Sequence, residues 1–336
     1  MSILNACIVG YGAVGPVHAA AVDAIDGAKV YAVCDIDRGR AELCKEKYGS
    51  FIYSDFDEIL KDENIDVVHI CTPHYLHGRM AKAALLAGKH VALEKPVVLT
   101  MAELEELREI ARSSAGRLAI MLQNRRNASI TELKRITESG EYGELKGLIG
   151  GVYWKRDDAY YAQGEWRGRW QTEGGGAIIN QSIHMLDMMI HLSGRIRNMR
   201  SSINRWKVES IEVEDTASAL IEFESGVTGI FNATNCFFTD EPYMLEARFE
   251  RGKFRYADGR LYRIDECGAE VIAKDTGVMV GKSYWGSGHF SLLHDFYSSI
   301  GGKDAPYTTV EDAYLTMKAV FDIYGEAGVP CPNNLH

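Results

Sequence analysis

The chain has 336 residues, 46% hydrophobic and 25% charged, which suits an ordinary globular protein of two domains rather than a disordered or fibrous one. A formal net charge of -10, with no Lys/Arg cluster larger than Asn124-Arg125-Arg126-Asn127, argues against nucleic acid and anionic membrane as partners and leaves a small molecule. Seven cysteines, an odd number without a C-x-x-C pair, argue against a disulfide framework and a zinc knuckle; with a short apolar start and no basic leader, they give a cytoplasmic expectation.

In chain order, short β-branched runs alternate with helical stretches. Strands are expected at 4–9, 29–35, 66–71, 90–93 and 118–122, and amphipathic helices at 38–48 and 101–114, the latter with Leu104, Leu107, Ile110 and Ala111 on one stripe. Such alternation predicts a parallel sheet. After about residue 145 the pattern turns to longer alternating runs, 216–223 and 227–235, joined by Glu224-Ser225-Gly226 as a hairpin. The change of period places a boundary between residues 1–123 and 124–336. No repeat or low-complexity segment interrupts the chain.

The first expected strand runs into Gly10-Tyr11-Gly12-Ala13-Val14-Gly15 and then an alanine-rich helix. Gly10 suits a tight turn, Gly12 the close approach of backbone to a pyrophosphate, and Gly15 helix-to-strand packing; Ala13 and Val14 lie in the same turn. The helix N-terminus offers N–H groups to phosphate. Asp35, at the end of the second strand, can accept from the adenine ribose hydroxyls, which favours NAD over NADP, although Arg38 leaves dual use open.

Two further rims carry chemistry. Thr72-Pro73-His74-Tyr75-Leu76-His77 ends the strand before Ala92-Leu93-Glu94-Lys95-Pro96; Thr72, Pro73, His77 and Glu94 suit the cofactor pocket. An ammonium at Lys95 can stabilise a developing alkoxide, and a surface lysine in a proline-fixed turn is the plain alternative. Gly174-Gly175-Gly176 leads into an almost wholly apolar helix in which Asn180, His184, Asp187 and His191 recur on one stripe. His184 there suits a general base and Asn180 a hydroxyl-orienting group. Asp187 and His191 fit equally as polar contacts inside a core. With no further carboxylate or cysteine cluster beside them, no metal site is expected.

These pieces together resemble the Gfo/Idh/MocA oxidoreductases over nearly the whole chain: the glycine loop, Glu94-Lys95-Pro96, and Gly-Gly-Gly followed by His184 and Asp187. The resemblance implies an α/β Rossmann domain with a doubly wound parallel sheet, then an α+β domain with a large open, mostly antiparallel sheet. It also implies Lys95 and His184 as the catalytic pair, a cis peptide before Pro96, and homodimers or homotetramers joined through the second sheet. The C-terminal helix is expected to pack back on the first domain. Many members carry aspartate where this chain has Asn180, and an amide cannot take the proton, which points to His184 as the base.

The segment 153–161, with Tyr160, followed by Trp166-Arg167-Gly168-Arg169-Trp170, supplies aromatic faces and charged donors suited to a carbohydrate-sized ligand. Arg125, after the sixth strand, is expected to reach the same cleft. The function expected is NAD(H)-dependent hydride transfer to or from a secondary alcohol or ketone of a sugar, glycoside, nucleotide sugar or inositol. An NAD-retaining glycoside hydrolase and a non-catalytic dinucleotide sensor remain as alternatives.

Overall fold

The computed structural model describes residues 3–276 and 288–329. The chain forms two compact units, one from the stretch ending at Gln123 together with Gly288–Tyr314, the other from Asn124 onward together with the segment starting at Leu315.

In the first unit, β1 (Leu4–Val9), β2 (Ala28–Cys34), β3 (Phe51–Tyr53), β4 (Val67–Ile70), β5 (His90–Leu93) and β6 (Leu118–Ile120) pair in the order β3-β2-β1-β4-β5-β6. Every pairing is parallel. Order reverses between β1 and β4, the topological switch point at which doubly wound sheets bind ligands. Strands covered on both faces read as near-continuous apolar runs rather than alternating ones; β4 reads Val-Val-His-Ile and is buried throughout.

Helices α1 (Gly15–Asp23), α2 (Arg38–Tyr48), α3 (Phe56–Lys61), α4 (His74–Leu86) and α5 (Met101–Ser113) connect these strands. Local chemistry sets their ends: Asp37 accepts from the N–H of Gly39 and Arg40 at the start of α2, and Gly49 closes it in the left-handed region. Thr100 caps α5 by accepting from the Glu103 N–H. The three-residue β3 was not legible in the sequence, since Phe51-Ile52-Tyr53 is too short to show a period.

The second unit carries an eight-stranded sheet among its described residues, built from β7 (Leu145–Tyr153), β8 (Ile196–Asn204), β9 (Thr216–Phe223), β10 (Thr228–Thr234), β11 (Met244–Phe249), β12 (Gly252–Ala257), β13 (Arg260–Asp265) and β14 (Gly268–Lys274). The order is β14-β13-β12-β11-β7-β10-β9-β8, antiparallel except for β7 with β10. The β9–β10 hairpin closes through Gly226 at φ 83°, and β9 alternates buried and outward residues along its length.

One face of this sheet is covered by a six-residue π-helical turn, Ala177–Ser182, that continues into α8 (Ile183–Ser193), between α6 (Ala128–Ser139) and α7 (Asp158–Tyr161) earlier in the chain and the strands that follow. Glycine lets the helix come close: a Cβ at Gly150 would sit 2.7 Å from the Met189 sulfur, and one at Gly229 3.0 Å from the Met189 methyl. Burying Met185 and Met189 contributes roughly 1.5–3 kcal/mol each. The opposite face leaves Leu220 and Ile230 exposed.

At the C-terminal end, α9 (Gly288–Ile300) packs against α1, with Leu292, Leu293, Phe296 and Tyr297 joining the core of the first unit. Most of α10 (Val310–Glu326) belongs instead to the second unit. Besides α9, the first turn of the last helix also packs on the first unit, where Glu311 pairs with Arg108 and Arg112 of α5.

Candidate active site

The glycine turn at the end of β1 has the geometry its residues require. Gly10 sits at φ 86°, and a Cβ there would lie 2.7 Å from the Cys71 carbonyl oxygen, so only glycine lets the turn meet the β4 rim. Gly15 has its virtual Cβ against the Gly10 carbonyl, while Gly12 has nothing nearer than 3.8 Å. Room at Gly12 is left on the outer side, where a ligand would approach. The N-terminus of α1 has no side-chain cap and no acid in its first turn, which suits an incoming pyrophosphate.

Asp35 is buried and accepts from the Tyr11 N–H at 2.6 Å and the Asp37 N–H at 2.8 Å. It locks the glycine turn while keeping lone pairs, since a carboxylate has about four acceptor sites. Arg38 is turned to Glu42. The guanidinium nearest Gly12 belongs to Arg40, a residue that sequence reasoning did not single out.

On the next rim, Lys95 is the one residue from Val91 to Thr100 that is not buried, and the Lys95–Pro96 peptide is cis. Thr72 and Pro73 are half-buried at the start of α4. His77 has both ring nitrogens on carbonyl oxygens, of Pro96 at 2.7 Å and Thr72 at 2.9 Å, so it ties two rim loops together rather than turning a ring nitrogen to a cofactor.

Glu94 also has a structural partner set. Its Oε1 lies 3.0 Å from His18 Nε2 and 3.6 Å from His289 Nε2, and its Oε2 accepts from the Lys95 N–H. His18 Nδ1 faces His69 Nδ1 at 2.9 Å, and His69 Nε2 faces the Tyr297 hydroxyl at 2.8 Å. Burial alone would raise the Glu94 carboxyl, but the hydrogen bond with His18 and the nearby His289 imidazole hold it well below the ordinary range. The three residues have ligand-type atoms within 4.8 Å of one another, a juxtaposition hidden from the sequence by more than 70 residues between each pair. Donation by His18 Nε2–H to Glu94 uses the atom that metal ligation would need, and hydrogen bonding accounts for the contact.

In the second unit, Asn180, Gln181, His184 and His191 are the positions from Ala177 to Ser193 that are not buried. Asp187 leaves the expected stripe because, on the regular α-helix 183–193, it lies about 60° round from His184 whereas His191 falls almost directly in line with it. Asp187 is fully buried and receives two hydrogen bonds from Arg125, at 2.8 and 2.6 Å, and one from Thr316. Arg125, expected at the substrate, is directed into this pair. Burial pushes the His191 imidazole down to about 4.

Two buried acids unseen in the sequence hold the segment carrying Asn180. Glu173 accepts from the Gly168 N–H and from Asn180 Nδ2. Glu214 accepts from the N–H of Gly176 and Ile178 and from the Tyr324 hydroxyl, and burial pushes its carboxyl up to about 7. Tyr160, Trp166 and Arg167 do come together: the Arg167 guanidinium stacks on both rings and donates to the Tyr160 hydroxyl. Gln181, next to Asn180, donates to the same hydroxyl.

A 3-2-1-4-5-6 parallel sheet with a glycine turn at its switch point defines a Rossmann unit of the dinucleotide-binding class. Residues 4–121 match the oxidoreductase family with NAD-binding Rossmann fold, and residues 130–255 match the GFO/IDH/MocA C-terminal domain. The chain belongs to the Gfo/Idh/MocA oxidoreductase family.

Among curated relatives, the NAD(+)-dependent scyllo-inositol 2-dehydrogenase of Bacillus subtilis is 29% identical over 92% of this chain and 80% of its own. A 1-carboxy-3-chloro-3,4-dihydroxycyclohexa-1,5-diene dehydrogenase of Comamonas testosteroni is 30% identical over 52% of this chain. The chain spans only 44% of that relative's length and 46% of that of an uncharacterised oxidoreductase of Schizosaccharomyces pombe. Among solved structures, the WlbA dehydrogenase of Chromobacterium violaceum, in complex with NADH and UDP-GlcNAcA, has a TM-score of 0.85 at 25% identity, over 98% of this chain and 94% of the other.

Proposed function

We propose that the protein is an NAD(H)-dependent oxidoreductase acting on a secondary alcohol or ketone of a sugar, glycoside, nucleotide sugar or inositol. The observation that carries this reading is the row of partly exposed polar side chains, Asn180, Gln181 and His184, on an otherwise buried helix, in a chain whose other unit is an NAD-binding Rossmann fold. The inositol dehydrogenase relative and the nucleotide-sugar complex of the structural neighbour support the substrate class.

Gly10, Gly12, Ala13, Val14, Gly15 and Asp35 would hold the dinucleotide, with Thr72, Pro73 and Glu94 on the adjoining rims. Bound NAD supplies the acceptor for the hydride that leaves the carbinol carbon. His184 removes the hydroxyl proton, Asn180 orients that hydroxyl, and the Lys95 ammonium stabilises negative charge on the oxygen. In ketone reduction the same groups run in reverse, with His184 returning the proton.

The same reading includes a cytoplasmic location and a homodimer or homotetramer. Six described cysteines are free, and among the described residues no helix is long and apolar enough to cross a membrane. Exposed Leu220 and Ile230 on the open sheet face suit a partner copy, and light scattering tests this.

The activity is tested by absorbance at 340 nm with NAD, and separately with NADP, against inositols, aldoses, glycosides and nucleotide sugars. NADH formation with one class supports the proposal. Tight NAD binding with silence across the panel favours the hydrolase or the sensor instead.

A further inference from the structure

Arg167 is held unlike its neighbours. Its guanidinium carbon lies 4.6 Å from the Tyr160 ring centre and 4.5 Å from that of Trp166, and Nη1 donates to the Tyr160 hydroxyl at 2.5 Å. Arg156 has Asp240 and Arg169 has Glu212, whereas among the described residues no carboxylate lies at ion-pair distance from Arg167. Glu173, a buried acid close by in sequence, is turned to Gly168 and Asn180. Two rings therefore fix a cation in orientation without neutralising it, and a guanidinium has five N–H donors of which the hydroxyl uses one.

The hydrogen bonds around Tyr160 run in one direction. Arg156 Nε donates to Gln181 Oε1 at 3.1 Å, which turns the Gln181 amide so that Nε2 donates to the Tyr160 hydroxyl at 2.7 Å. With Arg167 also donating, both lone pairs of that hydroxyl are occupied, and its proton is left to donate to a third group. Burial pushes the Tyr160 phenol up, so it keeps this proton at neutral pH. Tyr160 and Arg167 are both donors toward whatever docks there, and their cluster is bonded to the residue following Asn180.

We propose that Arg167 and Tyr160 form a subsite for an anionic, acceptor-only group on the substrate, a carboxylate or a phosphate, beside the reacting hydroxyl. This deepens the oxidoreductase reading and rests on it for the place of the reaction. A neutral hydroxyl would bring a donor of its own and leave the Arg167 charge uncompensated, whereas a carboxylate or phosphate oxygen satisfies both groups.

The test is calorimetric titration of the NADH-loaded protein at low salt with matched pairs: glucose against glucuronate, galactose against galacturonate, and glucose against glucose 6-phosphate. Binding of at least one anionic partner tenfold or more tighter than its neutral match is expected, and uronate or phosphate preference names which anion. Arg167→Gln should erase the preference by weakening the anionic partner far more than the neutral one, and Arg167→Lys should keep part of it. Equal binding within every pair, no binding of any of them, or a preference that survives Arg167→Gln would overturn the subsite. The wild-type comparison needs no variant to fold. Turnover at 340 nm separates the two readings: equal KM within every pair sinks the subsite and leaves the dehydrogenase, while anion binding without NADH formation from any sugar does the reverse.

Discussion

Asn180 Nδ2 donates to Glu173 Oε1 at 2.5 Å, and Glu173 is fully buried. A carboxylate can only accept, so this contact sets which way the Asn180 amide is turned and directs its carbonyl oxygen away from Glu173. Asn180→Asp would set two acids side by side, and one would have to take a proton. Turnover should fall tenfold or more, and the melting temperature should drop. Adding Glu173→Gln restores a donor and an acceptor with reversed polarity, so the double variant should recover both. A double variant worse than either single change would show that the polarity of this contact does not matter.

The glycine turn gives a contrast between stability and binding. Gly10→Ala places a Cβ 2.7 Å from the Cys71 carbonyl oxygen at φ 86°, and should lower the melting temperature by several degrees. Gly12→Ala meets nothing closer than 3.8 Å, so it should melt like the wild type while losing NAD affinity. Thermal melts with and without NAD check both, and unimpaired NAD binding by Gly12→Ala would move the dinucleotide away from this turn.

Arg125 is predicted to matter for folding rather than for substrate. Its side chain is 11% exposed and that of Asp187 0%, and removing one partner of such a pair leaves a buried charge at a cost of about 3–5 kcal/mol. Arg125→Met should therefore lose that much in urea unfolding, with KM of the surviving folded enzyme little changed. A normal unfolding curve with a raised KM would return Arg125 to the substrate.

Glu214 sets a pH dependence. Burial raises its folded value from 4.5 to about 7, so between these values the native state binds more protons than the unfolded chain. Its contribution is fully present below about pH 4.5 and is lost as pH rises toward 7. Glu214→Gln should flatten the fall in melting temperature over that window. An unchanged slope in the variant would assign the dependence to another group.

What the sequence showed, and what it hid, follows the range of the interactions. The glycine turn, Asp35, Lys95 and the hairpin through Gly226 are local signals, carried by a few consecutive residues. The apolar helix with polar breaks was also legible, as was the reading of Asp187 as a polar contact inside the core, but the π turn was not, because a 3.6-residue period cannot announce a turn of another pitch. Glu173 and Glu214 serve backbone N–H groups, and nothing in a single sequence marks a buried acid without a cation in its local pattern. The contacts of His18 with His69 and of Glu94 with His289 depend on strand order and on α9 returning to the first unit.

The most direct measurement is the rate of NADH formation by Lys95→Ala beside the wild type on the best substrate, with NAD affinity measured on both by calorimetry. The account predicts turnover lower by about a hundredfold or more with dinucleotide affinity nearly intact. Unchanged turnover would remove Lys95 from the chemistry and contradict the mechanism.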